Sequence, residues 1–161
     1  MDFDAAFTAL IGNEGGYSND PDDPGGETMW GITLRVARAN GYTGDMRNLP
    51  QAEAKRIARD VYWSMAHCDE LPDGIRFDVF DTSYNSGVSE AIILLQRAMG
   101  ITADGHFGPE TKAKVQAWND NPYWLRCSFN ASRLEFMTGL RNWPNDGKGW
   151  ARRIAANLRR A

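Results

Sequence analysis

Along this chain, apolar side chains recur mostly every three or four residues, the spacing of helices, and alternate with polar ones over one short stretch. Phe3, Phe7 and Leu10 form the first helical stripe, and Glu14 falls in phase with them, within about 60° around the helix axis. The spacing predicts a helix over residues 2–14, ended by Gly15 and Gly16 in the left-handed cap conformation. Residues 15–33 read as a turn and a short β-hairpin in which Thr28, Trp30 and Ile32 alternate. Thr33 can cap a short helix that Gly41 ends. Pro50 opens a helix to about Ala66, with Ile57, Val61 and Met65 on its inner face. Residues 75–87 read as a mostly buried helix, and Ser89 can cap the next, which Gly100 closes. Further helices run from Pro109 to about Asn119 and from Asn121-Pro122 to about Leu140. A terminal helix follows the turn NWPNDGKG, with Trp150, Ile154 and Leu158 facing inward. The predicted fold is mainly α, with about seven to eight helices and a small N-terminal β-hairpin.

The 161 residues suit one domain with one core, so a single globule is expected over residues 1–161. No apolar run reaches the ~18–20 residues needed to span a membrane. The N-terminus carries Asp2 and Asp4 where a secretory leader would carry basic residues, so no signal peptide is expected. Cys68 and Cys127 read as reduced thiols, and with His67 and His106 they lack the close-spaced pairs of a zinc site. No metal or cofactor is expected. The net charge of −3 is unevenly spread: residues 1–120 hold 10 basic and 19 acidic side chains, residues 121–161 hold 8 and 2. Arg152, Arg153, Arg159 and Arg160 are expected to form a basic face on the terminal helix, solvated or attracted to anionic envelope components.

Glu14 is the chemically informative residue. A carboxylate on a core-facing stripe is poorly solvated, which raises its pKa and suits it to donate a proton near neutral pH. An acidic turn, NDPDDPGGET, follows. It does not fit a helix–loop–helix calcium loop: counted from Asp20, Gly25 occupies position 6, but Pro24 falls at 5 and Gly31 at 12. These carboxylates suit instead the second member of a glycosidase pair, which handles water or the oxocarbenium charge. Asp23 lies nine residues after Glu14, Asp22 eight and Asp20 six, and the Thr28 hydroxyl can hold a water or a carboxylate. Tyr17, Trp30, Tyr62, Trp63, Asp81, Tyr84 and Asn85 are candidate sugar contacts, each with core packing or capping as its competing use. The segment DGHFGPET reads as a glycine turn and a proline-started helix, with a glycan or stem-peptide site as the alternative.

Taken in order, these motifs resemble glycoside hydrolase family 108. The residues that carry the likeness are EGGY (residues 14–17), DPGG (23–26), Thr28 with Gly31-Ile32-Thr33, Tyr62-Trp63, and FDTSYNSG (80–87). Residues 94–115 are similar to the family's peptidoglycan-binding-like portion. The resemblance implies a lysozyme-like α+β fold, with residues 1–88 bearing the catalytic motifs and 89–161 a helical part of the same globule. It implies a phage or prophage endolysin that hydrolyses the β-1,4 bond between N-acetylmuramic acid and N-acetylglucosamine. Glu14 takes the general acid's place, Asp23 that of the second carboxylate (Asp22 and Asp20 the alternatives), with Thr28 beside them. The implied protein is a monomer with peptidoglycan strands as its partner and no nucleic acid, held in the host cytoplasm until released to the wall. Three other readings stand beside it: a lytic transglycosylase using the same acid, a non-catalytic wall-binding or virion protein, and a peptidase using Cys68 or Cys127 with His106.

Overall fold

Asp2 starts the first helix by accepting a hydrogen bond from Ala5 N at 2.9 Å, and α1 (Phe3–Ile11) buries Phe3, Ala6 and Phe7. The computed structural model describes residues 1–12, 16–19 and 26–160. They form eight α-helices, one small antiparallel sheet and short 3-10 and π turns, the mainly α arrangement that the residue pattern predicts. The chain divides into two compact units, Asp2–Met65, and Ala66–Ala161 together with Met1.

In the first unit, α1 stops at Ile11 because Gly12 takes a left-handed φ of 53° and returns its N–H to Thr8 O. The helix therefore ends short of residue 14, and the helical phase that aligned Glu14 with Phe3 and Phe7 is not continued in the described residues. The sheet has strands β1 (Tyr17–Ser18), β2 (Thr28–Met29) and β3 (Ile32–Thr33) in that order, with Tyr17 opposite Met29 and Thr28 opposite Thr33. Trp30 and Gly31 make the two-residue link, with φ of 56° and 81°, both positive as a type I′ turn requires. Trp30 is thus a hairpin tip and not the middle of an alternating strand. Its backbone conformation costs about 1 kcal/mol or more, and its indole Nε1 donates to Leu49 O at 2.9 Å. Thr33 caps α2 (Leu34–Ala39), as expected.

Helix α3 (Gln51–Ala58) begins after Pro50 and then widens into a π turn, Arg59–Trp63. The wider turn delays the helical phase by a residue. Trp63 takes the inward position, edge-on to Phe3 at 5.5 Å, and Met65, expected inside, is 60% exposed.

The second unit is built on α4 (Asp73–Ser86), α5 (Val88–Met99), α6 (Pro109–Ala117), α7 (Pro122–Thr138) and α8 (Trp143–Leu158). Helix α4 packs against α5 and α7, and α7 packs against α8. Gly87, at φ 90°, joins α4 directly to α5, so Ser89 lies inside the helix and does not cap it. Gly100 closes α5 in the left-handed conformation, as expected.

The expected turn NWPNDGKG is instead the start of α8, with Pro144 in the first turn, where a missing N–H costs nothing. Leu158 is 43% exposed, and Asn157 occupies the inward position instead. Gly147 is buried under Trp143: a Cβ there would lie 2.5 Å from Trp143 Cδ2. Overpacking of this kind costs about 1–3 kcal/mol, against ~1 kcal/mol gained in helix propensity. Gly147→Ala is expected to lower the midpoint of denaturant unfolding; a raised midpoint would mean that the indole moves aside freely.

Candidate functional site

The acidic candidates Glu14, Asp20, Asp22 and Asp23 lie outside the described residues; the elements that flank them are described. At the C-terminal end of α1, a cavity of about 400 Å³ runs along Phe7, Ile11, Gly12, Gln51 and Lys55. It joins an apolar floor to an amide and an ammonium, and Lys55 is held by Asp4 at 3.0 Å. Beside the sheet, a shallower cavity of about 330 Å³ is lined by Glu27, Arg38, Asp45 and Arg47, among others. Arg38 is fixed by donating to Tyr42 O and Gly44 O at 2.7 and 2.8 Å.

Tyr17 links this cavity to the start of the acidic turn. Its hydroxyl donates to Glu27 Oε1 at 2.9 Å, and the Arg47 guanidinium lies 4.7 Å over its ring. Desolvation and the bond to Glu27 push the phenol above its ordinary pKa, so it remains a neutral donor at physiological pH. Glu27 was legible in the sequence only as one acid of the turn. The pairing of residues 17 and 27 across the segment between β1 and β2 gives it a fixed position and an adjoining cavity. Thr28 is half-buried on β2, next to Glu27 in the chain.

The other aromatic candidates divide. Tyr62 is half-buried, and desolvation raises its phenol against the opposing pull of Arg35. Trp63 has no exposed surface, so it is a core residue and cannot stack on a sugar; the π turn that brings it inward is the reason. In the second unit, Tyr84 is half-buried and edge-on to Phe80 at 6.0 Å, and Asn85 is exposed at the end of α4.

Asp81 is also corrected from sugar contact to buried anchor: it is 1% exposed and both its oxygens are occupied. Oδ1 accepts from Arg153 Nε and Nη2 at 2.9 and 2.5 Å, and Oδ2 accepts from Arg133 Nη1 and Asn157 Nδ2 at 2.8 and 2.9 Å. Burial alone would raise its pKa, but Arg133 and Arg153 override that and hold the carboxyl below its usual range. One helical turn earlier, Asp78 accepts from Arg126 Nε at 2.8 Å and Asn130 Nδ2 at 3.0 Å. There burial prevails, and its pKa is raised. The two acids tie α4 to α7, and Asp81 ties it to α8. The signal in the sequence was two acids three residues apart, interleaved with Ile75, Phe77, Val79 and Phe80.

The same contacts correct the basic face expected on α8. Arg153 turns inward to Asp81, and Arg160 lies 4.7 Å over the Phe77 ring, which leaves Arg152 and Arg159 exposed. The peptidase reading loses Cys68, which is wholly buried with its thiol pKa pushed up by that burial. The DGHFGPET segment is organised by buried Gln96. Its Nε2 donates to Asp104 Oδ1, His106 O and Thr111 Oγ1 at 2.8, 3.0 and 3.0 Å, and its Oε1 accepts from Gly105 N at 2.9 Å. Asp104, the Gly105 amide, the His106 carbonyl and Thr111 are thereby committed to the fold, while the side chains of His106 and Glu110 are exposed.

Residues 7–87, from the middle of α1 to the end of α4, match the family described as glycosyl hydrolase 108. The chain belongs to that family. This glycoside hydrolase is similar to SagA of Brucella abortus, with 31% identity, coverage of 98% of this chain and 92% of the SagA chain, and a TM-score of 0.89. The helices and small sheet therefore form a lysozyme-like α+β fold. No curated protein matches the glycosidase chain. No described helix is long and apolar enough to cross a membrane.

Proposed function

We propose that this family 108 glycosidase hydrolyses the β-1,4 bond between N-acetylmuramic acid and N-acetylglucosamine in peptidoglycan, with Glu14 as general acid. The observation that carries the reading is the family match over residues 7–87, which contains Glu14, Asp23 and Thr28 in the order acid, acidic turn, hairpin threonine. The Glu14 carboxylic acid gives its proton to the glycosidic oxygen as the bond from that oxygen to the anomeric carbon breaks. Asp23 (or Asp22 or Asp20) stabilises the oxocarbenium-like carbon or orients the water that adds to it. Thr28 supplies a hydroxyl to that water or carboxylate. Tyr17 and Glu27, hydrogen-bonded to each other between the first two strands, border the same turn and suit contacts with sugar hydroxyls.

The biological reading is a phage-type endolysin that acts as a monomer on glycan strands and reaches the wall from the host cytoplasm. Mass spectrometry of digested peptidoglycan tests the chemistry. New reducing muramic acid ends support hydrolysis. Anhydro-muramic ends would reassign the reaction to transglycosylation, and a digest without new sugar ends would overturn the reading.

A further inference from the structure

We propose that Ser18 is a further substrate-contacting residue: its hydroxyl, directly opposite Thr28 in the sheet, binds the N-acetyl sugar that lies beside Thr28. The choice of a sugar as ligand rests on the glycosidase reading above; the pairing of the two hydroxyls does not.

Each of the three strands is two residues long, so each gives one side chain to each face of the sheet. The register makes the two faces unlike. Tyr17, Met29 and Ile32 are paired across the strands and share one face. Ile32 is wholly buried, so this face is turned to the core of its unit. Ser18, Thr28 and Thr33 are paired in the same way and share the other face, a row of three hydroxyl side chains. Ser18 is exposed, and Thr28 and Thr33 are half-buried. Ser18 stands between an aromatic residue and the acidic turn and has no signal of its own in the sequence; the register alone brings it to Thr28.

The three hydroxyls differ in what they already do. Thr33 Oγ1 accepts from Val36 N at 3.3 Å, the cap of α2. Among the described residues, the hydroxyls of Ser18 and Thr28 have no hydrogen-bond partner. Each offers one donor and two acceptor positions. Two unused hydroxyls therefore stand side by side, with Cβ atoms about 4.5–5.5 Å apart as in any directly opposed pair. That spacing suits two hydrogen-bonding substituents of one pyranose ring, such as an acetamido group and a hydroxyl. The row carries no formal charge, which favours neutral sugar groups over an ion, whose charge would go uncompensated there. The row is also held in place before any ligand arrives. Tyr17 donates to Glu27 Oε1 at 2.9 Å and ties β1 to the residue before β2. Leu34 N donates to Glu27 O at 2.8 Å and ties that residue to the chain after β3. A contact presented from a fixed backbone loses little to ordering on binding.

The test is a calorimetric titration of the full chain, carrying Glu14→Gln to prevent turnover, with a tetrasaccharide of alternating N-acetylglucosamine and N-acetylmuramic acid. Ser18→Ala is expected to weaken binding about 2–10-fold, the loss of one neutral hydrogen bond. Ser18→Thr, which restores a hydroxyl and suits a strand, is expected to bind like the parent. In the active chain, Ser18→Ala is expected to raise KM by the same factor with a smaller change in kcat, whereas Thr28→Ala is expected to lower kcat. Ser18 is exposed and its hydroxyl holds no other group among the described residues, so folding does not depend on it. Equal affinity of Ser18→Ala and its parent overturns the proposal. So does a loss that Ser18→Thr fails to recover, or a tetrasaccharide that does not bind at all. Wild-type digestion of peptidoglycan is scored separately. An active enzyme whose affinity ignores Ser18 sinks this contact alone, and an inactive one whose affinity depends on Ser18 sinks the hydrolase reading and leaves the contact standing.

Discussion

Glu14→Gln is expected to abolish peptidoglycan hydrolysis, with a loss of at least about 10²–10⁴-fold, the usual contribution of a positioned general acid. The amide has the size of the carboxylic acid and hydrogen-bonds like it, but has no proton to give to the glycosidic oxygen. Substrate binding and folding should survive, because the described elements that flank Glu14 in the chain are held by other groups. Asp2 caps α1, the sheet pairs through its backbone, and Trp30 is anchored on Leu49 O. The measurement is turnover of purified peptidoglycan, with circular dichroism and wall sedimentation as controls. Substantial turnover by a folded Glu14→Gln protein would remove Glu14 from the chemistry.

Asp81→Asn should have the largest effect on stability, about 3–5 kcal/mol at neutral pH, the range for breaking a buried ion pair from one side. The reason is Arg133, which is fully buried. Among the described residues its one hydrogen bond is from Nη1 to Asp81 Oδ2, while Nε and Nη2 have no acceptor. Removing the carboxylate charge leaves that guanidinium without its hydrogen-bonded counter-ion, with Asp78 the remaining acid that acts on it. The pH dependence follows from the direction of each shift. Asp81 has a folded-state pKa below its unfolded value, so its contribution is present above the unfolded pKa of about 3.9 and is lost as pH falls through the lower folded value. Asp78 is raised, so its contribution has the opposite sign: present at low pH and lost as pH rises through the raised value. The difference in unfolding free energy between wild type and Asp81→Asn should therefore be full at neutral pH and shrink in strong acid. Adding Arg133→Met should recover part of the loss. Urea unfolding across this pH range checks both; a gap that does not change with pH would mean that Asp81 is not the ionised anchor of the three helices.

Much of this fold was legible in the residue pattern, and the departures have local causes. Helix starts at Pro109 and Pro122, the Thr33 cap and the Gly100 stop follow from what those residues do to any backbone. A glycine just before the expected stop ended α1 early, at Gly12. The π turn at Arg59–Trp63 was invisible to a count at fixed period, and it exchanged the places of Trp63 and Met65. The turn-like composition of NWPNDGKG hid a helix because Pro144 stands where proline is harmless and Gly147 is needed beneath an indole. In the candidate site, Asp81 was chosen for its chemistry, but its partners Arg133, Arg153 and Asn157 come from helices more than 50 positions away in the chain. Such pairing leaves no local trace. Tyr17 and Glu27 show the converse: the sequence offered both residues, and only the hydrogen bond from Tyr17 on β1 to Glu27, the residue before β2, reveals that they form one unit.

The most direct test of the central claim is a paired digestion of purified peptidoglycan by the wild-type chain and by Glu14→Gln, with the products read by mass spectrometry. The account predicts muropeptides with new reducing N-acetylmuramic acid ends from wild type and none from Glu14→Gln. The same reducing ends from both proteins, or free amines without new sugar ends from wild type, would contradict it.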